Sequence, residues 1–162
     1  MEVLKYPDPR LLKPCKEVKV FTPELKILLE SMWETMKAER GIGLAANQVG
    51  LEYRMFTMSG PNEEKLFLVN PKIIASGTNP SPISEGCLSA PGEMIKVYRP
   101  SWVKVEYKNE EGKSFVRVFV DVHSVCAQHE IEHLDGKSFL QNKNIPKNTR
   151  ISLAKKWGLK IK

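Results

Sequence analysis

After Thr22-Pro23, apolar side chains recur at three- and four-residue spacing: Leu25, Leu28, Leu29, Met32 and Met36 fall on one face. This predicts an amphipathic helix capped by Thr22, with Pro23 in its first turn, running to Gly41. Beyond it the period shortens. Tyr53 to Thr57 and Leu66 to Val69 read as strands, the second stopped by Asn70-Pro71, and Thr78 to Ser84 reads as a loop. Val103, Val105 and Tyr107 alternate, Asn109 to Gly112 supplies a turn, and Phe115 to Val120 returns, the pattern of an antiparallel hairpin. From about Asp121 to Leu134 the helical period reappears, with Val122, Val125 and Cys126 sharing a face with His129 and His133 until Gly136 ends it. Helix, several antiparallel strands, helix and tail make an α+β chain, with too few alternations for a doubly wound sheet.

Composition narrows this picture. The 162 residues are 41% hydrophobic and 27% charged, as expected for one folded domain and not for a disordered or fibrous chain. Three cysteines do not make a secreted disulfide framework, the opening segment has no signal-peptide core, and no run approaches 18 apolar residues. The expected setting is reducing and cytoplasmic. The net charge of +6 is unevenly spread. Eight basic residues (Lys137, Lys143, Lys147, Arg150, Lys155, Lys156, Lys160, Lys162) and no acid follow Gly136, which leaves the first 135 residues at −2. The chain is expected to divide into a folded body over 1–146 and a basic tail over 147–162.

Chemistry concentrates in His129-Glu130-Ile131-Glu132-His133. At i and i+4 on a helix the two imidazoles project from one face about 6 Å apart along the axis, within reach of one metal ion. Glu130, rotated away from that pair, is placed to act as a general base without ligating. After Asp135 there is no Asp, Glu, His or Cys, so a remote third ligand must come from upstream. Cys126 lies seven residues from His133, roughly 10 Å along the axis, too far to complete a compact site, and reads as pocket lining. Cys15 has a weak claim. Cys87, in Glu85-Gly86-Cys87-Leu88-Ser89, stands in a glycine-preceded turn where the backbone can approach an ion closely. A thiolate with two imidazoles leaves a fourth tetrahedral position for water, as a catalytic site requires; an ordinary buried cysteine is the alternative. One more polar group stands out, the Gln48 amide within the otherwise small and apolar Gly41–Gly50 segment.

Three segments in order, Gly41-Ile42-Gly43-Leu44-Ala45-Ala46-Asn47-Gln48, Glu85-Gly86-Cys87-Leu88-Ser89 and Gln128-His129-Glu130-Ile131-Glu132-His133, resemble the motifs of the peptide deformylase family. The opening Leu4-Lys5-Tyr6-Pro7-Asp8-Pro9 with Leu11 is similar to that family's start, so the resemblance covers about residues 3 to 140. It implies antiparallel sheets packed around a central metal-binding helix, with an N-terminal helix and a short basic C-terminal helix or tail. The implied activity is hydrolysis of the formyl group from N-terminal formyl-methionine, releasing formate, during protein biosynthesis. Cys87, His129 and His133 would hold one divalent metal, Fe²⁺ in many members, with Zn²⁺, Ni²⁺ or Co²⁺ as substitutes; the donor set itself does not select iron. Glu130 would be the proton acceptor, and the Gln48 amide and Leu88 N–H would meet charge on the formyl oxygen. The peptide would pair with Ile42 and Gly43 as an added strand. Ile83, Gly86, Val122, Val125 and Cys126 would contact the substrate, with His129 at the floor of the methionine pocket, although ordinary core packing suits the apolar positions equally. Glu85 and Arg99 would form an ion pair bracing the Cys87 turn.

Two positions depart from the family pattern: Glu132, commonly Asp, and Met94, where many bacterial members carry a basic residue. The tail, with Asn148 or Thr149 as a cap and Ile151, Leu153, Ala154 and Trp157 turned inward, resembles the basic helix by which bacterial members bind the ribosome, and a polyanion suits its charge. No membrane partner is expected, and the chain is expected to be a monomer. A small metallopeptidase cutting internal bonds, and a metal-stabilised module binding ribosomal RNA, are the rival readings.

Overall fold

The computed structural model describes residues 1–161; Lys162 of the basic tail lies outside the described residues. In chain order the elements are α1 (Pro23–Ala38), β1 (Gly43–Ala45), β2 (Met55–Ser59), β3 (Lys65–Ser76), β4 (Ser81–Cys87), β5 (Ala90–Arg99), β6 (Trp102–Lys108), β7 (Ser114–Val120), α2 (Asp121–Leu134) and α3 (Lys147–Lys156). β1, β2, β3, β6 and β7 form an antiparallel sheet in the order β1-β2-β3-β6-β7, and β4 with β5 forms a separate two-stranded sheet.

Helices pack on both faces of the large sheet, and the period-two alternation of β2 and β3 assigns the residues. Phe56, Met58, Leu66 and Leu68 turn toward α2, where Cys126, Ala127, Ile131 and Leu134 meet them. Met55, Phe67 and Val69 turn the other way, against Leu29, Met32 and Met36 of α1. A third cluster joins Ile95 and Val97 of β5 to Tyr6, Leu11, Phe139 and Leu140, and to Leu153 and Ala154 of α3. α2 is common ground, because its His129 ring also packs on Phe139 with centroids 5.2 Å apart.

α1 begins as expected, with the Leu25 N–H donating to Thr22 Oγ1 at 3.3 Å and Pro23 in the first turn. Three expectations need correction. β3 is not stopped by Asn70-Pro71 but continues to Ser76. Asn70 adopts a left-handed φ of 50°, its side chain bonds the Val18 N–H and C=O at 2.8 Å each, and the register against β6 shifts between Val69 and Lys72. That irregularity absorbs a proline that has no N–H for the ladder. The segment read as a loop over Thr78 to Ser84 gives way at Ser81 to β4, in a two-stranded sheet where Pro82 is tolerated because no further strand requires its donor. α3 starts ahead of Asn148 and Thr149, with Pro146 at the N-cap and no capping side chain. Leu153 and Ala154 are buried, while Ile151 and Trp157 are half-buried, so the helix is seated on the body. Among the described residues no helix is long and apolar enough to cross a membrane.

Candidate metal centre and its cleft

α2 presents His129, Glu130 and His133, and both of its ends are fixed. Near its start, Ser124 Oγ and Gln128 Nε2 each donate to the Pro100 carbonyl at 3.1 Å. At its end, Asn47 Nδ2 donates to the His133 carbonyl at 2.6 Å, and Arg54 pairs with Asp135 at 2.8 Å. Gly136 turns the chain at φ 70°, and a Cβ there would lie 2.7 Å from the Lys13 carbonyl carbon, so that position admits only glycine on two counts.

Cys87 closes β4 after a register shift between Glu85 and Cys87, which turns its side chain toward α2. The ligand atoms of Cys87, His129 and His133 all lie within 4.8 Å of one another. Cys87 Sγ is 3.2 Å from His133 Nε2, and that nitrogen is 3.1 Å from His129 Nε2. A tetrahedral ion bonded at about 2.3 Å to sulfur and about 2.0–2.1 Å to imidazole nitrogen would separate such donors by roughly 3.3–3.6 Å. The two separations at His133 are within a few tenths of an ångström of that geometry, the third is no more than 4.8 Å, and a mixed thiolate–imidazole set suits a divalent transition metal.

The ring of His129 is oriented from behind. Its Nδ1 lies 3.0 Å from Glu85 Oε2, so Nδ1–H donates to that carboxylate and the Nε2 lone pair is left for the centre. Glu85 and Arg99 form the expected pair, and it is buried, with relative exposures of 5% and 3%. The Arg99 guanidinium engages both Glu85 oxygens and also donates to Glu132 at 3.0 and 2.9 Å. Burial works against the Glu85 carboxylate, but hydrogen bonds from His129 and Arg99 outweigh it and hold its pKa below the usual range. Burial, together with the nearby His129 and Arg99, pushes the pKa of His133 well down, which keeps its imidazole neutral.

Glu130 lies inside the protein beside this cluster. Burial raises its pKa to about 7, against the lowering influence of His129. Its Oε2 has no hydrogen-bond partner among the described residues. Gln48 is also buried and is doubly engaged. Its Oε1 accepts from the Ala45 N–H at 2.9 Å, whereas Nε2 lies 3.1 Å from Ser89 Oγ and 3.7 Å from Cys87 Sγ. The amide thus satisfies nearby backbone and also turns its donor toward the centre.

A cleft of about 520 Å³ opens over these groups. Ile42, Gly43, Gln48, Cys87, Leu88, His129 and Glu130 line it. Ile83, Gly86, Val122, Val125 and Cys126 line it as well. Every site residue expected from sequence reaches this cleft except His133, which is 1% exposed and lies behind the other two ligands. Met94, 69% exposed, stands at the rim. β1 is an edge strand, and the Ile42 carbonyl accepts from Ser59 N–H at 2.9 Å, which by antiparallel alternation turns the Gly43 N–H and C=O to the open side.

Two contributors were not visible in the sequence. Lys5 Nζ donates to the Leu88 carbonyl at 2.7 Å, tying the N-terminal segment to the Cys87 turn. Asn142 Nδ2 donates to both Glu132 oxygens at 3.2 and 3.0 Å. Lys5 lies in the opening segment that is similar to the family's start, but nothing there marked it as a partner of the Cys87 turn, and Asn142 belongs to no motif.

Residues 1–149 match the family model described as polypeptide deformylase. Peptide deformylase 2 of Nitrosomonas europaea is 43% identical over 153 residues, covering 93% of this chain and 82% of that one. The peptide deformylase of Acinetobacter baumannii is 40% identical, covering 93% and 87%. Among solved structures, peptide deformylase from Legionella pneumophila superposes with a TM-score of 0.88 at 34% identity, covering 97% of this chain and 92% of that one. That from Synechococcus elongatus in complex with actinonin gives 0.88 at 32% identity, covering 99% and 87%. With a family model spanning nearly its whole length and the three ordered motifs converging on one cleft, the chain belongs to the polypeptide deformylase family.

Proposed function

We propose that this chain hydrolyses the formyl group from the N-terminal formyl-methionine of newly made polypeptides in the cytoplasm, releasing formate. The observation that carries the reading is the convergence of Cys87, His129 and His133 within 4.8 Å beside a buried carboxyl, Glu130, at the floor of one cleft. A divalent ion held by those three residues, Fe²⁺ by family resemblance with Zn²⁺, Ni²⁺ or Co²⁺ as substitutes, would supply Lewis acidity to the formyl oxygen and to water.

The chain's own groups account for the rest. The peptide lies along the open edge of β1, using the N–H and C=O of Gly43 beside Ile42. Its methionine side chain enters the apolar part of the cleft between Ile83, Val122, Val125 and Cys126, while Gly86 leaves room for the backbone. Glu130, with a pKa near neutrality, takes a proton as water adds to the formyl carbon. It returns that proton to the amine nitrogen as the C–N bond breaks, leaving formate and a free N-terminus. Gln48 Nε2 and the Leu88 N–H act as donors to the developing negative charge on the formyl oxygen. The body over 1–146 carries this chemistry in a monomer, and the basic segment over 147–162 makes contact with the ribosome.

Formate release from formyl-Met-Ala-Ser by metal-loaded protein tests the reading. Turnover that falls by orders of magnitude in Glu130→Gln, with metal content retained, is the expected result. Cleavage of internal peptide bonds without formate would instead favour a metallopeptidase.

A further inference from the structure

Five side chains form one hydrogen-bonded line behind the candidate metal centre, and the known motifs account for only part of it. His129 Nδ1 meets Glu85, Glu85 meets Arg99, Arg99 meets Glu132, and Glu132 meets Asn142. Arg99 is the middle of this line and directs four of its five N–H donors at two carboxylates. Each carboxylate then has one further donor: the His129 ring for Glu85 and the Asn142 amide for Glu132. Glutamate at 132, where the resemblance leads one to expect aspartate, has an extra methylene and an extra torsion to immobilise. Asn142 supplies that restraint by donating to both oxygens at once.

Asn142 is itself rigidly held. It is 9% exposed, its Oδ1 accepts from the Asn144 N–H at 2.9 Å, and its carbonyl accepts from the Ile145 N–H at 3.0 Å. The same turn carries Phe139, whose ring packs on His129. The segment 139–142 therefore touches His129 twice, once by direct packing and once through the hydrogen-bonded line.

We infer that Asn142 is a positioning residue for the metal centre, acting through Glu132 and Arg99 to hold Glu85, and thereby the His129 ring, in the orientation that binds a divalent cation. This rests on the metal-centre reading above but not on the identity of the substrate.

The test is a double-mutant cycle on Co²⁺ affinity, measured by competition with a chromogenic chelator. Loss of partners behind a ligand typically weakens metal binding by about 10–100-fold, so Asn142→Ala, three links behind Glu85, is expected to weaken it by about 3–10-fold. Glu132→Ala should weaken it at least as much, and the double variant should match Glu132→Ala alone because both act through one link. Asn142→Ser, which keeps a donor, should recover part of the loss and serves if the alanine variant folds poorly. Asn142→Asp, which sets a second carboxylate against Glu132, should be worse than alanine, with an altered Co²⁺ absorption spectrum. Wild-type affinity and spectrum in Asn142→Ala, or losses at 132 and 142 that multiply, would overturn the inference. Formate release is read separately, so failure of the proposed reaction leaves this affinity cycle interpretable.

Discussion

A Cβ on Gly43 would lie 2.5 Å from Glu130 Oε1 and 2.6 Å from Cys126 Sγ. β1 and α2 therefore approach as closely as they do only because one of them carries no side chain at this point. Gly43→Ala must displace the Glu130 carboxyl, the end of a longer side chain than Cys126, or part β1 from α2, as both neighbours are buried. The expected outcome is a loss of kcat/KM of about 100-fold, the scale of a displacement near 1 Å at a reacting group, with metal content unchanged. Steady-state formate release beside elemental analysis checks this; an alanine variant with full activity would show that α2 can move aside freely.

Arg99 stands between the Glu85 and Glu132 carboxylates and pairs with both, and its side chain is 2% exposed. Arg99→Leu leaves Glu85 buried without its ionic partner. The expected loss is about 3–5 kcal/mol of unfolding free energy, as for other broken buried pairs. Arg99→Lys should recover only part of it, because an ammonium cannot reproduce the forked geometry that spans two carboxylates. Urea unfolding at unchanged slope measures both, and a loss below about 1 kcal/mol would mean that water reaches the pair.

Much of the centre was legible because its chemistry sits at short, regular spacings. His129, Glu130 and His133 lie on one helix whose limits, Asp121 and Leu134, follow from hydrophobic period and a terminating glycine. Cys87 could be reached by asking which cysteine was placed to complete the set. The β4–β5 hairpin was harder to see. Ser81 and Pro82 are poor strand formers, and β4 has Ile83 as its only large apolar residue, its one fully buried position being the charged Glu85. Its pairing depends on β5, not on its own propensity. Asn142 illustrates a different limit: its partner is ten residues away across a turn, and nothing about an isolated asparagine announces which carboxylate it will meet.

The C-terminus of α1 carries a removable cost. Gly41 N–H donates to Met36 C=O and Arg40 N–H to Lys37 C=O, the paired bonds of a Schellman motif, with Arg40 in the left-handed position at φ 58°. Glycine is the residue that this position favours. Arg40→Gly is expected to raise stability by about 0.5–1 kcal/mol, the strain relieved being partly offset by the greater freedom of glycine in the unfolded chain. For a chain of this size that is a Tm increase of about 1–4 °C. Arg40→Ala, which keeps the Cβ, is the control and should not stabilise; calorimetry on the two variants separates backbone strain from loss of charge.

Cys15 lies under the far end of α2, its N–H donating to the Leu134 carbonyl at 2.8 Å. Burial pushes its thiol up to about 11 from an ordinary value of 9.0, against a lowering hydrogen bond from the Asn47 backbone. The folded protein thus keeps the proton that the unfolded chain gives up. Any stability due to this group is fully present below pH 9 and is lost as pH rises through 11, because in that window the unfolded state binds fewer protons. Reactivity follows the same sign. At pH 8.5 a rise of about two units leaves about 100-fold less thiolate at Cys15 in the native protein than in the denatured one. Iodoacetamide labelling followed by peptide mass spectrometry should show Cys15 modified slowly at pH 8.5 and increasingly above pH 10. Equal labelling of native and denatured protein at pH 8.5 would place this thiol in water, and the packing assigned to it beneath α2 would be wrong.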